Sequence, residues 1–298
     1  MTHDNRDTAL MGHEIVLQAE GLAKRYSRRR AWALREIDLA IPRGGITALV
    51  GPNAAGKSTL IRSWIGFEQP TRGRAFVCGV DAWSDRTRAL EHVGYVSQSP
   101  TLYDTLSVAD HLLMAQRARA SFDRPGAERR LDELAVPLAA MGNELSGGQQ
   151  AQVALALALS SRVDVLLLDE PLASLDPLAR REFLYLLTDA VRTEGTTALL
   201  SSHIVTDIEQ ACDHLIVLGV GRLVLDLSVA DALATHAVAL DDTSTAPIVG
   251  GFRDTDGSRL TVVMAAADTP NYRPATLEEV MLAHLAATRA ATASERAA

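Results

Sequence analysis

Gly51-Pro52-Asn53-Ala54-Ala55-Gly56-Lys57-Ser58-Thr59 lies between a short apolar run, Ile46-Thr47-Ala48-Leu49-Val50, and an amphipathic stretch, Thr59-Leu60-Ile61-Arg62-Ser63-Trp64-Ile65, that stops before Gly66. The first flank is rich in β-formers and the second has helical spacing, so the nonapeptide is a strand-to-helix loop. Its two glycines followed by Lys-Ser-Thr have the spacing of a P-loop. The glycines let the backbone curl until several N–H groups converge on an anion. The positive end of the helix dipole adds to them, and Lys57 brings a point charge. Ser58 stands where its hydroxyl can ligate Mg²⁺. Alone, the loop fits kinases, GTPases and transport ATPases equally.

The rest of the composition narrows the field. Of 29 basic residues only Lys24 and Lys57 are lysines, a small addition to the case for a specific need at position 57. A chain of 298 residues with 47% hydrophobic content holds one large α/β domain and a small appendage. Its net charge of −8 argues against a broad nucleic-acid face, and no nucleic-acid partner is expected; Arg28-Arg29-Arg30 reads as a solvated patch. Cys78 and Cys212 are far apart and lack metal-type or redox-type spacing, so free thiols in a reducing compartment are expected, without a disulfide. No stretch approaches the roughly 20 apolar residues of a membrane helix. The charged start Met1-Thr2-His3-Asp4-Asn5-Arg6-Asp7 is no signal peptide. A cytoplasmic chain is expected, reaching a membrane only through a partner.

Along the chain, residues 1–13 read as a flexible leader, with Met11 an alternative start. Ile15-Val16-Leu17-Gln18-Ala19 begins a strand that Gly21 punctuates. Ala33 to Ile41 forms another, turned by Pro42-Arg43-Gly44-Gly45 into the strand that feeds the P-loop. From Ser107, with Asp110 as capping-box partner, the pattern turns helical through Arg130; this helical insert is placed at about 99–160. Val163 to Leu168, Thr196 to Ser201 and Leu215 to Leu218 are continuous apolar runs of the kind buried in a parallel sheet. Asp241 to Thr245 reads as a linker. After it, Ile248-Val249 and Leu260 to Val263 flank Asp256-Gly257 like a hairpin. A last helix starts at Thr276 with Glu279 as its capping partner, and Leu277, Val280, Met281 and Leu285 share one face. The expected division is 14–236 for the nucleotide-binding domain and 237–298 for an accessory domain.

Leu145-Ser146-Gly147-Gly148-Gln149 stands before a helix, and here the sequence resembles the ATP-binding cassette family, whose signature is LSGGQ. A serine and two glycines at a helix start offer a second anion-binding end, whereas plain capping calls for no Gly-Gly-Gln. Val165-Leu166-Leu167-Leu168-Asp169-Glu170-Pro171 resembles the family's Walker B strand. Its Asp169 is suited to hold Mg²⁺ through water and Glu170 to act as general base. An Asp-Glu pair supplies metal ligand and base within one turn. The resemblance continues in order through Gln98 as the Q-loop residue, placed near Mg²⁺ and the γ-phosphate. It then runs through Ala173-Ser174-Leu175-Asp176 as the D-loop to His203, which would contact the γ-phosphate. Tyr26 occupies the place where the family stacks an aromatic on adenine. The match runs from about Ile15 to Val224. It departs at Ala54, where the family commonly has glycine, and at Gln150-Ala151-Gln152, a stretch often bearing arginine.

The resemblance implies an α/β P-loop NTPase of the ABC ATPase fold, with an antiparallel β subdomain, a helical insert and a small C-terminal α+β extension. It implies ATP and Mg²⁺ as ligands, and two chains, since the signature of one cassette covers ATP held by the P-loop of another. A homodimer is expected, with an integral membrane permease subunit as partner and a place on the cytoplasmic face of the membrane. The surface around Gln98 to Leu106, with Leu102 and Tyr103, fits a cytoplasmic helix of that partner or simple core packing. The modest tail resembles single-cassette exporter subunits, so export is expected. A soluble relative acting on DNA would interrupt these motifs with long heptad arms, and a ribosomal one would carry two cassettes; neither feature occurs in the sequence.

Overall fold

From the amino end the chain runs through β1 (Ile15–Lys24), β2 (Leu34–Pro42), β3 (Ile46–Val50), α1 (Lys57–Trp64), β4 (Arg72–Val77), β5 (Val80–Asp81), α2 (Arg86–Glu91) and β6 (Val93–Val96). The middle holds α3 (Val108–Ala118), α4 (Arg124–Glu133), α5 (Gly147–Ser160), β7 (Val165–Leu168), α6 (Pro177–Glu194), β8 (Thr197–Ser201) and α7 (Val205–Ala211). It ends with β9 (His214–Gly219), β10 (Arg222–Ser228), α8 (Val229–Thr235), β11 (His236–Ala239), β12 (Ile248–Arg253), β13 (Arg259–Met264), β14 (Tyr272–Pro274) and α9 (Leu277–Ala297). This computed structural model describes residues 14–27, 31–99, 102–173, 175–241, 245–266 and 269–297. The expected leader, the Arg28 to Arg30 patch, Pro100, Thr101, Ser174 and the Asp242-Thr243-Ser244 part of the linker lie outside the described residues.

The central sheet has the order β10-β9-β3-β8-β7-β6, parallel except where β10 pairs antiparallel with β9. A strand covered on both faces is apolar at nearly every position, which explains the near-continuous runs in β3, β7, β8 and β9. Alternate residues then serve two cores. Ala48, Leu166, Leu168, Leu200 and Val217 face helices α5 and α6, where Leu155, Phe183 and Leu187 are fully buried. Leu49, Leu167, Leu199 and Ile216 face the other way, onto α1 and the antiparallel sheet β2-β1-β4-β5. There Trp64 is fully buried and its indole N–H donates to the Gln18 carbonyl at 2.9 Å. The helical insert keeps a third core around Val108, Leu112, Leu131 and Val153.

The tail is a four-stranded antiparallel sheet, β12-β13-β11-β14, with α9 against β12. β11 opens at His236, one residue before the expected boundary. Val262, Leu277, Val280 and Met281 belong to the same buried cluster as β9 and α6, so the tail shares the principal core instead of closing one of its own. At the α9 start, Thr276 and Glu279 form the expected reciprocal bonds, the Glu279 N–H to Oγ1 at 3.2 Å and the Thr276 N–H to Oε2 at 2.8 Å.

Candidate functional site

Register brings the carboxyl ends of the parallel strands to one edge. Leu49 of β3 pairs with Ser201 of β8, Leu168 of β7 with Leu200, and Val96 of β6 with Leu168. Chain segments leaving those ends converge in the crevice where α/β sheets bind ligands.

Gly51 leaves β3 with φ 158°, and a Cβ there would lie 2.3 Å from the Leu218 carbonyl oxygen, so packing excludes any side chain. Pro52 and Asn53 carry the loop outward, and the Pro52 carbonyl accepts from the Ala55 N–H at 3.0 Å. Ala54 has φ 65°. Alanine enters that left-handed region at a cost of about 1–2 kcal/mol, which glycine avoids. The departure from the family pattern is therefore accommodated as backbone strain on an exposed residue. The Ala55 carbonyl accepts from the Gly221 N–H at 3.1 Å, tying the loop to the β9–β10 turn. Gly56 then leads into α1.

Lys57 is 5% exposed, and a buried ammonium needs anionic or carbonyl partners. It donates to the Gly51 carbonyl at 2.8 Å and pairs with Glu170 Oε1 at 3.0 Å. Ser58 Oγ donates to Asp169 Oδ1 at 3.0 Å, and Ser201 Oγ donates to the same oxygen at 3.2 Å while accepting the Glu170 N–H at 2.7 Å. Glu170 has φ 48°, a strained conformation of the kind that concentrates at working sites. Its second oxygen lies 3.5 Å from His203 Nδ1. Lys57, Ser58, Asp169, Glu170 and His203 thus form one connected cluster. Hydroxyl and carboxylate oxygens gathered at Ser58 and Asp169 are the donor chemistry that suits Mg²⁺.

Thr59 Oγ1 lies 3.2 Å from the Tyr26 hydroxyl, and Lys24 Nζ stands 5.0 Å from the centre of the Tyr26 ring. Tyr26 is 47% exposed beside the loop. Gln98 is exposed two residues beyond the end of β6. Among the described residues no hydrogen bond joins it to the cluster.

Among the described residues no hydrogen bond or ion pair links Ser146 to Gln149 with Gly51 to Thr59. Ser146 caps α5, accepting the Gln149 N–H at 3.2 Å, while the Gln149 side chain accepts the Ser146 N–H at 3.0 Å. Gly148 is buried, and a Cβ there would lie 3.0 Å from Ala179 Cβ. Capping and close packing therefore do use Gln149 and Gly148, contrary to the expectation that a plain cap needs neither. Gly147 is different, since a Cβ added there meets nothing within 4 Å. Downstream, within the stretch that lacks arginine, Gln152 Nε2 donates to Glu182 at 2.7 Å. Asp176 caps α6 through the Leu178 and Ala179 N–H groups.

Sequence reasoning missed Ser201, which joins the metal-type carboxylate to the Glu170 backbone. A hydroxyl ending the otherwise apolar run Thr197-Ala198-Leu199-Leu200-Ser201 was the available sign. Asp207 was missed too: it is buried on α7, its carboxyl pushed up by burial against the opposing pull of Arg180 and His203.

Fold and site geometry together define the class as a P-loop nucleotide-binding cassette. A family model described as ABC transporter matches residues 34–173. The methionine import ATP-binding protein MetN of Bradyrhizobium diazoefficiens is 34% identical over 79% of this chain and 72% of its own length. The probable multidrug ABC transporter ATP-binding protein YbhF of Escherichia coli is 32% identical over 71% of this chain, which spans only 37% of that protein. A solved ATP-binding subunit of an ABC transporter superposes with a TM-score of 0.66 at 28% identity, covering 73% of this chain and 91% of that one. The chain belongs to the ABC transporter family, as one of its ATP-binding proteins.

Proposed function

We propose that this chain binds ATP with Mg²⁺ and hydrolyses it as one member of a pair, driving transport through a separate integral membrane permease subunit. The observation that carries the reading is the linked set Lys57, Glu170, Asp169, Ser58 and Ser201 at the mouth of the P-loop. Phosphate oxygens entering the loop offer Lys57 an anionic partner in place of Glu170 and meet the N–H groups that open α1. Ser58 and Asp169 would hold Mg²⁺, with Gln98 as the third residue the family pattern assigns to it, and the ion would neutralise phosphate charge. Glu170 takes the proton of the attacking water, and His203, within reach of Glu170, orients that water and the γ-phosphate edge. Tyr26, beside Thr59, offers its ring to the adenine.

A signature that makes no bond to its own P-loop among the described residues fits a head-to-tail pair in which each signature completes the other chain's site, and two identical chains make that pair a two-fold symmetric homodimer. Open space over Gly147 supports close approach of a second chain there. Hydrolysis then removes the phosphate contacts that hold the pair, and the resulting motion works the permease. The permease is set against Tyr103, which is 61% exposed next to the insert core, whereas Leu102 is buried in that core. Among the described residues no helix is long and apolar enough to cross a membrane; the permease would hold the chain peripherally, on the cytoplasmic face. The separate core of the insert supports a helical subdomain at about 99–160 within a 14–236 nucleotide-binding unit, with 237–298 as accessory. The small tail supports export, and the membrane subunit carries the cargo specificity.

Purification of the tagged chain from detergent-solubilised membranes tests the reading. One integral membrane protein should copurify in fixed ratio and stimulate ATP turnover; ribosomes or DNA as the stable partner would overturn it.

A further inference from the structure

At the opposite ends of β6 and β7 from the nucleotide edge, three residues of metal-ligating chemistry meet that are far apart in sequence. His92 directly precedes β6, Asp164 directly precedes β7, and Cys78 sits in the two-residue turn between β4 and β5. One donor atom from each residue, the Cys78 sulfur included, lies within 4.8 Å of the other two. Linear spacing hid this grouping, because the fold and not a C-x-x-C repeat brings the donors together.

Asp164 organises the group. Its Oδ2 lies 2.7 Å from His92 Nδ1, and its Oδ1 accepts from Arg43 at 2.8 Å. Arg43 forks onto Glu14 through two further bonds of 2.8 and 3.0 Å. Glu14 thus neutralises Arg43, and once Cys78 is a thiolate, the set of Cys78, Asp164, Glu14 and Arg43 carries two net negative charges, which a divalent cation balances. All three donor residues are partly exposed, so an ion reaches them from solvent without rearrangement of the core.

We propose that Cys78, His92 and Asp164 form a binding site for one divalent cation of the zinc type, separate from the nucleotide site. Sulfur, imidazole nitrogen and a single carboxylate oxygen are a borderline-soft set that selects zinc over Mg²⁺ or Ca²⁺, which take oxygen ligands. Zinc bonds of about 2.0–2.3 Å require only a small opening of the His92–Asp164 contact and a small closing of the Cys78 sulfur. Three protein ligands leave the fourth tetrahedral position to water. Arg43 remains on Oδ1 as the outer partner that fixes the carboxylate. On binding, the Cys78 S–H bond gives way to an S–metal bond and its proton leaves to solvent, while the hydrogen that His92 Nδ1 gives to Asp164 moves by exchange with water to Nε2 and frees the Nδ1 lone pair for the metal. This site joins the antiparallel sheet to the feet of the two strands whose tops carry Gln98 and Asp169.

Cobalt titration of the full chain, chelator-treated and free of nucleotide, tests the assignment. One equivalent of Co²⁺ should produce thiolate-to-cobalt charge-transfer absorption that Zn²⁺ abolishes by displacement. Cys78→Ser should remove that absorption and weaken zinc binding by on the order of 100-fold or more, with the metal-free melting temperature unchanged. Absence of the band, or its persistence in Cys78→Ser, overturns the proposal. If Cys78→Ser does not fold, His92→Gln serves instead: a weakened, shifted band supports the site, and an unaltered band at unaltered affinity overturns it.

Discussion

Lys57 and Glu170 share one buried ion pair, yet their substitutions have separable consequences. Lys57→Ala removes the point charge aimed at phosphate, and ATP affinity should fall at least about tenfold, roughly 1.4 kcal/mol, in equilibrium binding with a fluorescent nucleotide. Glu170→Gln keeps size and hydrogen bonding but cannot accept the proton of water. ATP binding should persist while steady-state turnover falls by about 10²–10⁴; unchanged turnover would refute the assigned base. Ala54→Gly releases a residue held at φ 65° but enlarges the freedom of the unfolded chain, so a net gain within about 1 kcal/mol is expected in urea unfolding, with ATP affinity retained. Every residue of this cluster except Ser201 was legible in the sequence, because each is tied to a motif of fixed order. Ser201 was not, since its work lies in contacts that cross between β7 and β8.

At the scale of elements, the signature helix separates two roles for neighbouring residues. Ser146→Ala removes the cap of α5 and should cost the isolated chain about 1 kcal/mol in denaturant unfolding. Gly147→Asp adds a carboxylate where no atom stands within 4 Å, at a helix N-terminus that favours negative charge. The single chain should keep its stability, whereas ATP-dependent pairing should be lost to repulsion between that carboxylate and the triphosphate. The central strands were readable because burial on both faces forces near-continuous apolar runs. β10 and β4 were not read. β10 is the edge strand of its sheet, and the first half of β4 is exposed, so neither carries the buried apolar run of the central strands. The capping boxes at Ser107 and Thr276 were visible because both partners are local.

At the scale of the whole molecule, the tail is fastened by buried chemistry as well as apolar packing. His236 of β11 is fully buried with its Nε2 3.1 Å from His284 Nε2 on α9. Burial holds both imidazoles below their ordinary range, and His284, also disfavoured by charge on His236, is lowered to about 4. The unfolded chain, titrating near 6.5, therefore takes up protons first. This contribution to stability is complete above about pH 6.5 and is lost as the pH falls toward about 4. The melting temperature should drop across that window, and His284→Gln should flatten the slope. Sequence pattern foresaw the hairpin and the last helix, but not that they share the principal core, because that contact joins residues far apart along the chain. The central claim is that this chain is half of an ATP-closed pair, and the solution mass of Glu170→Gln with and without ATP and Mg²⁺ tests it most directly. A doubling of mass on adding ATP, abolished by Gly147→Asp, is the predicted result; a chain that binds ATP and keeps its single-chain mass would contradict it.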